Sequence, residues 1–492
     1  MFFMANHIRV SALILSGMLI ISATSCGSSA SVGQDETTES SETVSSVPET
    51  IASNKDELPD KKFDGREFKV LSAESTAYKG YIDVSETNGD ILNDSIYESN
   101  RGIEERFDVV IKQELLGAVQ ANDVGKKLLM AGEHEYDIIS LTDRIALQQA
   151  VQGLLLSYAD MPYIDLEKDY WCQSINKSIT IGDQQWLAYG DFNLSVYDYT
   201  YALAFNKQLI QELKLADPYK LVEDGKWTFD TFNDMCLSAV KDLDGNTKMD
   251  AEDRYGWSAN AKQITPTMWV AAGVNSIRKD DNDLPYFSMA GDEKFAEVYD
   301  RIVDIAWSND VWFANVSKDQ DINLDPMFSD GDALFQTTSF GLLDTGYYRD
   351  MKIDYGILPH PKLDESQDSY YSRVEGGRIF TIPITTTDTE FTGLMLEALA
   401  ASAHEKVIPT YFEISLKTKY TRDDESSKMF DMIMDTRVYD LGDTFWSDYI
   451  RDSFIQTLFK SGSKDLASAI AKNKDKVENS IQDTNDALEQ FK

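Results

Sequence analysis

The sequence contains few cysteines and histidines, and their small numbers exclude several classes of structure and function. Its 3 cysteines cannot build a disulfide framework. Its 4 histidines include no H-E-x-x-H pair of the kind that holds a catalytic zinc ion. The chain also has no G-x-S-x-G nucleophile motif and no phosphate-binding G-x-x-x-x-G-K-[ST] loop. The commonest signatures of hydrolases and nucleotide-binding proteins are therefore missing.

Basic residues are also scarce, with 46 Lys and Arg against 84 Asp and Glu, which gives a formal net charge of −38. Binding to a phosphate backbone needs Lys and Arg, so we expect no nucleic-acid partner. An acidic surface suits a protein that works outside the cell, and it attracts divalent cations. After the first 25 residues, no stretch approaches the ~18 apolar residues of a membrane-spanning helix.

The length of 492 residues exceeds what a single core usually holds, so we expect two folded units. The N-terminus resembles a secretion signal over residues 1–25, in which Arg9 precedes the apolar run Val10–Ile21. The sequence SATSC then places small residues before Cys26, as a lipobox does, although Ala23 stands where leucine is usual. We therefore predict lipidation of Cys26; the alternative is a plain secreted protein with an unmodified cysteine.

Residues 26–60 are rich in Ser, Thr and Glu and contain almost no large apolar side chain. This composition predicts an unfolded tether between the lipid and the folded body, and a degradable or glycosylated stalk would have the same composition. The remaining cysteines, Cys172 and Cys236, could pair in an oxidising compartment. We favour two separate thiols.

Strands alternate with helices in the first half of the folded body. The segments Glu67–Ala73 and Tyr136–Leu141 read as strands and Asp94–Phe107 as a helix, which predicts an α/β fold with a mostly parallel sheet. Ligands gather at the carboxyl ends of such strands, which singles out Ala73–Glu74 and Thr142–Arg144.

The second half shows the same alternation. Ile264–Val274 reads as a helix with Trp269 near its start, and Arg378–Pro383 as a strand. Phe391–Ala401 predicts a further helix, and the C-terminal part from Tyr411 is mainly helical in pattern.

Oxygen-bearing side chains occupy nearly alternate positions in DLDGNTKMDAED, as in the calcium loop of an EF-hand. The six positions that would bind the ion, with the lysine offering only its backbone carbonyl, are Asp242, Asp244, Asn246, Lys248, Asp250 and Asp253. Two features depart from the pattern, since Thr247 replaces the usual glycine and Asp253 replaces the usual glutamate. We predict a structural calcium ion here; a solvated acidic turn is the alternative.

Several phrases in fixed order resemble the family 1 extracellular solute-binding proteins, the receptors of carbohydrate ABC importers. The phrases are WLAYGDFN at 186–193, LAFNKQLI at 203–210, GKWTFDTF at 225–232, DGDALFQTTSFG at 330–341, YGILPHPK at 355–362 and EGGRIFTIP at 375–383. The resemblance extends from about Phe63 to the C-terminus.

The resemblance implies a periplasmic-binding-protein-like fold of two α/β lobes joined by crossover strands. Lobe one would comprise residues 61–193 and 375–405, and lobe two residues 194–374 and 406–492. The chain would cross near Asp191–Ser195 and again near Val374–Ile379, where Gly376–Gly377 suits either a hinge or a strained turn. It further implies a monomeric receptor that closes on a sugar or oligosaccharide and passes it to an ABC permease.

Sugars need flat aromatic platforms and charged or amide groups that reach pairs of hydroxyls. Our candidate ligand-binding residues are Glu74, Asp143, Asp191, Asn193, Trp269, Phe340, Glu375 and Arg378. Trp269 and Phe340 could equally be core residues, Asp143 and Arg144 a surface pair, and Asp191 a cap for backbone amides. We assign Trp227 and Trp257 to packing.

Two other classes of function compete with a transport receptor. A carbohydrate-active enzyme needs only two carboxylates a few ångströms apart, and the many acidic residues do not exclude it. A passive surface adhesin would not need hinge-like crossings. We expect a binding protein without catalytic residues.

Overall fold

The structure is a computed structural model that describes residues 56–74, 78–312, 325–343, 348, 350–414 and 423–491. The predicted signal sequence, Cys26 and all of the tether before residue 56 lie outside the described residues. Within these ranges, no helix combines the length and apolar character that a membrane crossing requires.

The strands lie in two main sheets and two short pairs. In chain order they are β1 Arg66–Glu74, β2 Val109–Gly117, β3 Ile138–Thr142, β4 Leu155–Leu156, β5 Tyr201–Asn206, β6 Tyr255–Ser258, β7 Arg278–Lys279, β8 Pro285–Tyr286, β9 Ala333–Ser339, β10 Tyr355–Leu358, β11 Ser372–Arg373, β12 Arg378–Pro383 and β13 Arg437–Val438. One sheet has the order β2-β1-β3-β12-β4 and the other β10-β5-β9-β6.

Helices connect and cover the strands. The α-helices of the described residues are α1 Ile91–Phe107, α2 Ala118–Ala131, α3 Asp143–Val151, α4 Gln173–Ile179, α5 Ser195–Asp198, α6 Lys207–Glu212, α7 Pro218–Glu223, α8 Phe229–Ala239, α9 Ala261–Ala271, α10 Glu293–Trp307, α11 Asp325–Ser329, α12 Phe340–Leu343, α13 Thr389–Ile414, α14 Asp424–Asp435, α15 Gln456–Lys460 and α16 Leu466–Glu489. A π-helical turn, Arg451–Ile455, leads into α15.

Local sequence explains where α8 begins and what it covers. The side chain of Thr228 accepts a hydrogen bond from the backbone amide of Thr231, which satisfies one of the unpaired donors at the helix start. Phe232 then packs edge-to-face against the fully buried Trp257, and Trp227 packs against Phe335 of β9. These contacts form the core under the second sheet, and they confirm the packing role predicted for Trp227 and Trp257.

The prediction of an α/β fold is confirmed, but the prediction of a mostly parallel sheet is wrong. In the first sheet β1 is parallel to β2 and β3, whereas β12 is antiparallel to β3 and β4. In the second sheet only β6 and β9 are parallel. The strand β12 runs the other way because the chain enters the first sheet from the second one, and not through a βαβ crossover.

A short segment before β12 is paired with both sheets. Val374 forms a bridge with Thr200, directly before β5. Four residues later, Arg378 is the register partner of Thr142 at the end of β3. The end of β3 and the starts of β5 and β12 therefore meet at one place. The lobe boundaries given above stay a prediction.

Two sequence predictions about packing have clear outcomes. Trp269 lies near the end of α9, not near its start, because the helix begins at Ala261, three residues earlier than its apolar pattern suggested. Cys172 and Cys236 are both free, buried thiols. This outcome agrees with the interpretation of two separate thiols.

Candidate functional site

A polar cavity of about 260 Å³ opens where these strand termini meet. Its lining comes from the start of α3, the segment before β5, the segment before β12 and the stretch that ends in the π-helical turn. The lining residues are Thr142, Asp143, Arg144, Tyr199, Glu375, Gly377, Asp443, Thr444, Ser447 and Arg451. Residues distant in sequence thus converge on one concave surface, which is the usual form of a small-molecule site.

Asp143 is a buried carboxylate at the start of α3. One oxygen accepts a hydrogen bond from the hydroxyl of Tyr439 at 2.7 Å, and the other accepts from the backbone amide of Arg144 at 2.7 Å. Burial raises the pKa of Asp143 to about 6, although Tyr439 and the guanidinium of Arg144 act in the opposite direction. The side chain therefore changes charge in the mildly acidic range.

This pKa predicts a distinctive pH dependence of stability. The pKa in the folded state, about 6, lies above the ordinary value of about 3.9, so the stabilising contribution of the protonated group is lost as pH rises through 6. Asp143→Asn cannot ionise, so its stability relative to the native protein should rise by about 3 kcal/mol between pH 3.5 and pH 8. Urea unfolding at both pH values measures the difference.

Asp281→Asn is the matched control for this experiment, because it makes the same change at an exposed aspartate in the loop between β7 and β8. Its stability difference from the native protein should stay constant over the same pH range. If Asp143→Asn also shows a constant difference, the carboxylate does not titrate near pH 6.

Glu375 projects from the segment before β12 and is held by three side chains. One oxygen accepts from the hydroxyl of Tyr201, and the other accepts from Arg451 at 3.3 Å and lies 3.7 Å from Arg373. Burial raises the pKa of Glu375, but the guanidinium groups of Arg373 and Arg451 outweigh burial and hold the pKa below its usual value. Glu375 is therefore an ionised hydrogen-bond acceptor in the cavity wall.

Asp443 fixes the two arginines from behind. Its carboxylate accepts two bonds from Arg373, at 2.6 and 3.1 Å, and one from Arg451 at 3.0 Å. The guanidinium of Arg373 also lies over the ring of Tyr201, 4.5 Å from its centroid. Because Asp443 and Arg373 are each only 1% exposed, the cluster is a rigid charged base for the cavity.

The wall of the cavity combines several kinds of polar side chain. Carboxylates, guanidinium groups and hydroxyls alternate along it, so it offers both acceptors and donors to a polar guest. Its lining contains neither histidine nor cysteine. The tyrosine ring of Tyr199 adds an aromatic surface beside these groups.

The structure brings two of the predicted site residues, Asp143 and Glu375, into the cavity lining. Two others lie beneath it. The side-chain amide of Asn193 donates to the backbone carbonyl of Arg378 at 2.7 Å, and the guanidinium of Arg378 bonds the hydroxyl and the carbonyl of Ser140. Both are buried, and their hydrogen bonds tie the segment around Asn193 to β12 and β12 to β3.

The remaining predicted residues lie away from this cavity lining. Asp191 is buried and bonds the hydroxyl of Tyr197 and the ring of His404, at 2.5 and 2.6 Å. Trp269 is fully buried and donates to Asp440 at 2.8 Å, while Phe340 is 1% exposed. Glu74 is exposed at the carboxyl end of β1. A ligand contact by any of these residues stays a prediction.

Sequence reasoning missed the contribution of the C-terminal region to the site. Asp443, Thr444, Ser447 and Arg451 line the cavity, whereas the pattern of DLGDTFWSDYIRD predicts only part of a helical region. The signal present in the sequence was a set of charged residues inside an aromatic, apolar stretch. Such residues are seldom buried unless they are paired or bind a ligand.

A larger cavity of about 760 Å³ lies along β2. It is lined by α1, β2 and the loop that precedes α1, including Arg101, Glu104, Lys112 and Leu115. All of these elements belong to the first sheet and its helices, and strand termini do not converge there. We therefore take the smaller cavity as the candidate site.

The acidic loop brings three of the six predicted metal ligands together. Carboxylate oxygens of Asp242, Asp244 and Asp253 lie within 4.8 Å of one another. Thr247 has a φ of 67°, so the chain adopts the left-handed turn at the position where glycine is usual. Three convergent carboxylates are the donors that a hard cation prefers, so these residues fit calcium.

The three other predicted positions have mixed contacts. The side-chain oxygen of Asn246 accepts from the backbone amide of Lys248 at 2.7 Å, and its amide donates to Asp244 at 2.7 Å. Asp250 accepts from the backbone amide of Glu252 at 3.0 Å. The loop is thus already ordered by its own hydrogen bonds.

Comparison with solved structures shows the fold. An ABC substrate-binding protein of Listeria monocytogenes, solved with cycloalternan, superposes with a TM-score of 0.57 and 12% identity over 85% of this chain and 100% of that one. A cyclo/maltodextrin-binding protein with maltotetraose superposes with a TM-score of 0.55 and 13% identity over 87% of this chain and 98% of that one. For the sugar-binding protein MalE of Xanthomonas citri, the TM-score is 0.55 and the identity 13%, over 86% of this chain and 98% of that one.

No protein-family model matches the chain, and no curated protein matches its sequence. The structural superpositions show that the chain shares the periplasmic-binding-protein-like fold of these three sugar-binding proteins, as predicted.

Proposed function

We propose that the protein is an extracellular, lipid-anchored receptor of an ABC importer that binds a sugar or oligosaccharide without changing it. The observation that carries the proposal is the cavity at the meeting strand termini, where Asp143, Glu375, Arg451 and Tyr199 converge. Charged groups that reach hydroxyl pairs, beside an aromatic ring, suit a polyhydroxylated guest. The fold shared with sugar-binding proteins supports the same class of ligand.

The receptor closes on its guest by rotation about the crossing segments. The side chain of Glu375 accepts a hydrogen bond from Tyr201 of β5, and Asp143 directly follows β3, so a ligand that contacts both carboxylates bridges the two sheets. Contacts from both sides favour the closed form. Small-angle scattering of the glycan-bound and free protein should show a smaller radius of gyration with ligand.

A thermal-shift screen across neutral, amino and acidic glycans tests the function. We expect at least one glycan to raise the unfolding temperature, since a ligand that binds only the folded state stabilises it. Chromatography of that glycan after incubation should recover it intact. Release of a smaller sugar would identify an enzyme instead, and the absence of any stabilising glycan would contradict the proposal.

The N-terminal sequence supports a lipid anchor, and the proposed class of protein supports a membrane partner. Diacylglyceryl attachment at Cys26, with an acyl chain on its amine, would hold the monomer at the membrane, and the tether would let it reach a permease whose ATPase is a separate chain. Incorporation of labelled palmitate into the native protein but not into Cys26→Ser measures the anchor. Equal incorporation into both would exclude this cysteine.

We further propose that the acidic loop holds a structural calcium ion. Asp242, Asp244 and Asp253 would supply carboxylate oxygens, with Asn246, Asp250 and the carbonyl of Lys248 as the further donors. When bound, the ion would neutralise carboxylates that otherwise repel one another. It takes no part in ligand chemistry.

Calorimetry with calcium tests the loop. Asp244→Ala removes one convergent carboxylate and should weaken calcium binding at least about tenfold, because affinity depends on the number of charged ligands. The matched control is Asp281→Ala, at an exposed aspartate outside the loop. Identical binding heats for the native protein and Asp244→Ala would show that the loop does not bind calcium through Asp244, and the proposed site would be wrong.

A further inference from the structure

A second cavity, of about 490 Å³, adjoins the candidate site. It lies between α3, α16 and the stretch before the π-helical turn. Its lining residues from α3 are Arg144, Leu147, Gln148, Val151 and Gln152, and those from the other two elements are Phe445, Trp446, Tyr449, Lys476, Asn479, Ser480, Asp483 and Thr484. We call this cavity the α3 groove.

The α3 groove and the candidate cavity share one lining residue, Arg144. The stretch from Asp443 to Arg451 also serves both, with Ser447 facing the cavity and Tyr449 facing the groove. The guanidinium of Arg144 is bound to Asp448 at 2.7 Å, and both side chains are about half exposed, at 41% and 54%. A guest that passes from one cavity to the other would therefore meet a solvated, movable ion pair and not a wall of packed side chains.

The volumes of the two cavities are compatible with one guest that occupies both. Ligand sites usually measure about 300–1,000 Å³. The candidate cavity alone, at about 260 Å³, falls below that range, whereas its volume and the 490 Å³ of the groove add up to about 750 Å³. The combined space has the size of an ordinary ligand site for a molecule longer than the first cavity.

The lining of the groove has the two kinds of surface that a sugar chain needs. Leu147, Val151 and Phe445 form an apolar part, which suits the C–H faces of pyranose rings. Gln148, Gln152, Asn479 and Asp483 are exposed and carry amide and carboxylate groups for hydroxyls. Tyr449 is partly exposed, with the ammonium of Lys476 5.1 Å from its ring centroid.

We propose that the α3 groove is a second sugar subsite, so that the guest is an oligosaccharide whose chain runs from the candidate cavity past Arg144 and along α3. This inference rests on the proposed function and specifies its ligand class. Part of the affinity then comes from sugar units that bind in the α3 groove. A monosaccharide that fills only the candidate cavity lacks this part of the affinity.

The test compares chain lengths by calorimetry, with the mono-, di- and trisaccharide of the best glycan from the thermal-shift screen. For the native protein, the trisaccharide should bind at least about tenfold more tightly than the monosaccharide, since one further hydrogen-bonded and stacked unit contributes on the order of a factor of ten. Gln148→Trp places a large side chain in the groove from an exposed helical position. It should reduce this ratio to about one.

Gln208→Trp is the matched control, because Gln208 is an exposed glutamine on α6 and lines neither cavity. It should keep the native ratio. Tyr449→Ala, which removes one groove wall without filling the space, provides a second variant and should also lower the ratio.

The outcomes distinguish this inference from the proposed function. If the native protein binds the trisaccharide and the monosaccharide with nearly equal affinity, the proposed subsite in the α3 groove is wrong, and the receptor function is unaffected. A native ratio that both groove variants preserve would also overturn the subsite. If no glycan of any length binds, the receptor function fails, and the subsite fails with it.

Discussion

Asp443→Asn should lower the free energy of unfolding by about 3–5 kcal/mol. The carboxylate of Asp443 accepts three hydrogen bonds from Arg373 and Arg451, and Asp443 and Arg373 are almost completely buried. Asparagine has the same size, so the packing is kept. It carries no charge, however, so the guanidinium groups of Arg373 and Arg451 lose the buried carboxylate that balances their positive charge. Uncompensated buried charge is among the most costly defects in a protein interior.

Urea unfolding followed by both circular dichroism and tryptophan fluorescence measures this loss, and coincident curves verify a single transition. Asp448→Asn is the matched control, since it removes the same charge from an exposed pair with Arg144. An exposed pair contributes only about 0–1 kcal/mol. If the two variants are destabilised equally, the charged cluster in the cavity wall does not stabilise the protein as its burial indicates.

Gly376→Ala should abolish the geometry of the site. Gly376 has a φ of 76°, and a Cβ atom there would lie 1.9 Å from Oδ2 of Asp143 and 2.9 Å from its Cγ. The carboxylate cannot easily withdraw, because Tyr439 and the amide of Arg144 hold it. We expect the affinity for the glycan to fall at least about tenfold, together with a stability loss of about 2–4 kcal/mol.

Gly65→Ala is the control that measures the effect of backbone strain alone, without the steric clash against Asp143. Gly65 has nearly the same φ, 75°, but nothing lies within 4 Å of a Cβ atom there. It should cost only about 1–2 kcal/mol and leave glycan affinity unchanged. Equal effects of the two substitutions would show that Asp143 is free to move aside.

The sequence could predict the α/β fold and part of the site because local patterns carry that information. Thr142–Arg144 is a candidate by position, because it comes at the end of a buried strand. Glu375 is a candidate because it lies at the second crossing that the family resemblance implies. The pairing of β12 with β3 then places them together. The antiparallel direction of β12 could not be read from the sequence, because strand direction depends on which sheet the chain has left.

The aromatic candidates show the limit of the same reasoning. A tryptophan next to a predicted strand end serves equally well as a platform or as core, and Trp269 is fully buried with its indole bonded to Asp440. Arg451 shows the reverse case. Its role in the cavity depends on the partners Asp443 and Glu375, which are distant from one another in the chain and become neighbours only in the fold.

The paired segment between Val374 and Arg378 has a mechanical consequence. An extended chain spans at most about 3.3–3.6 Å per residue, so the two pairing points can never be more than about 14 Å apart. The separation of the sheets at this segment is therefore limited to that length, so the proposed closure would be a rotation about a point near Glu375. In such a rotation the displacement grows with distance from the axis, so the groups farthest from Glu375 would move most.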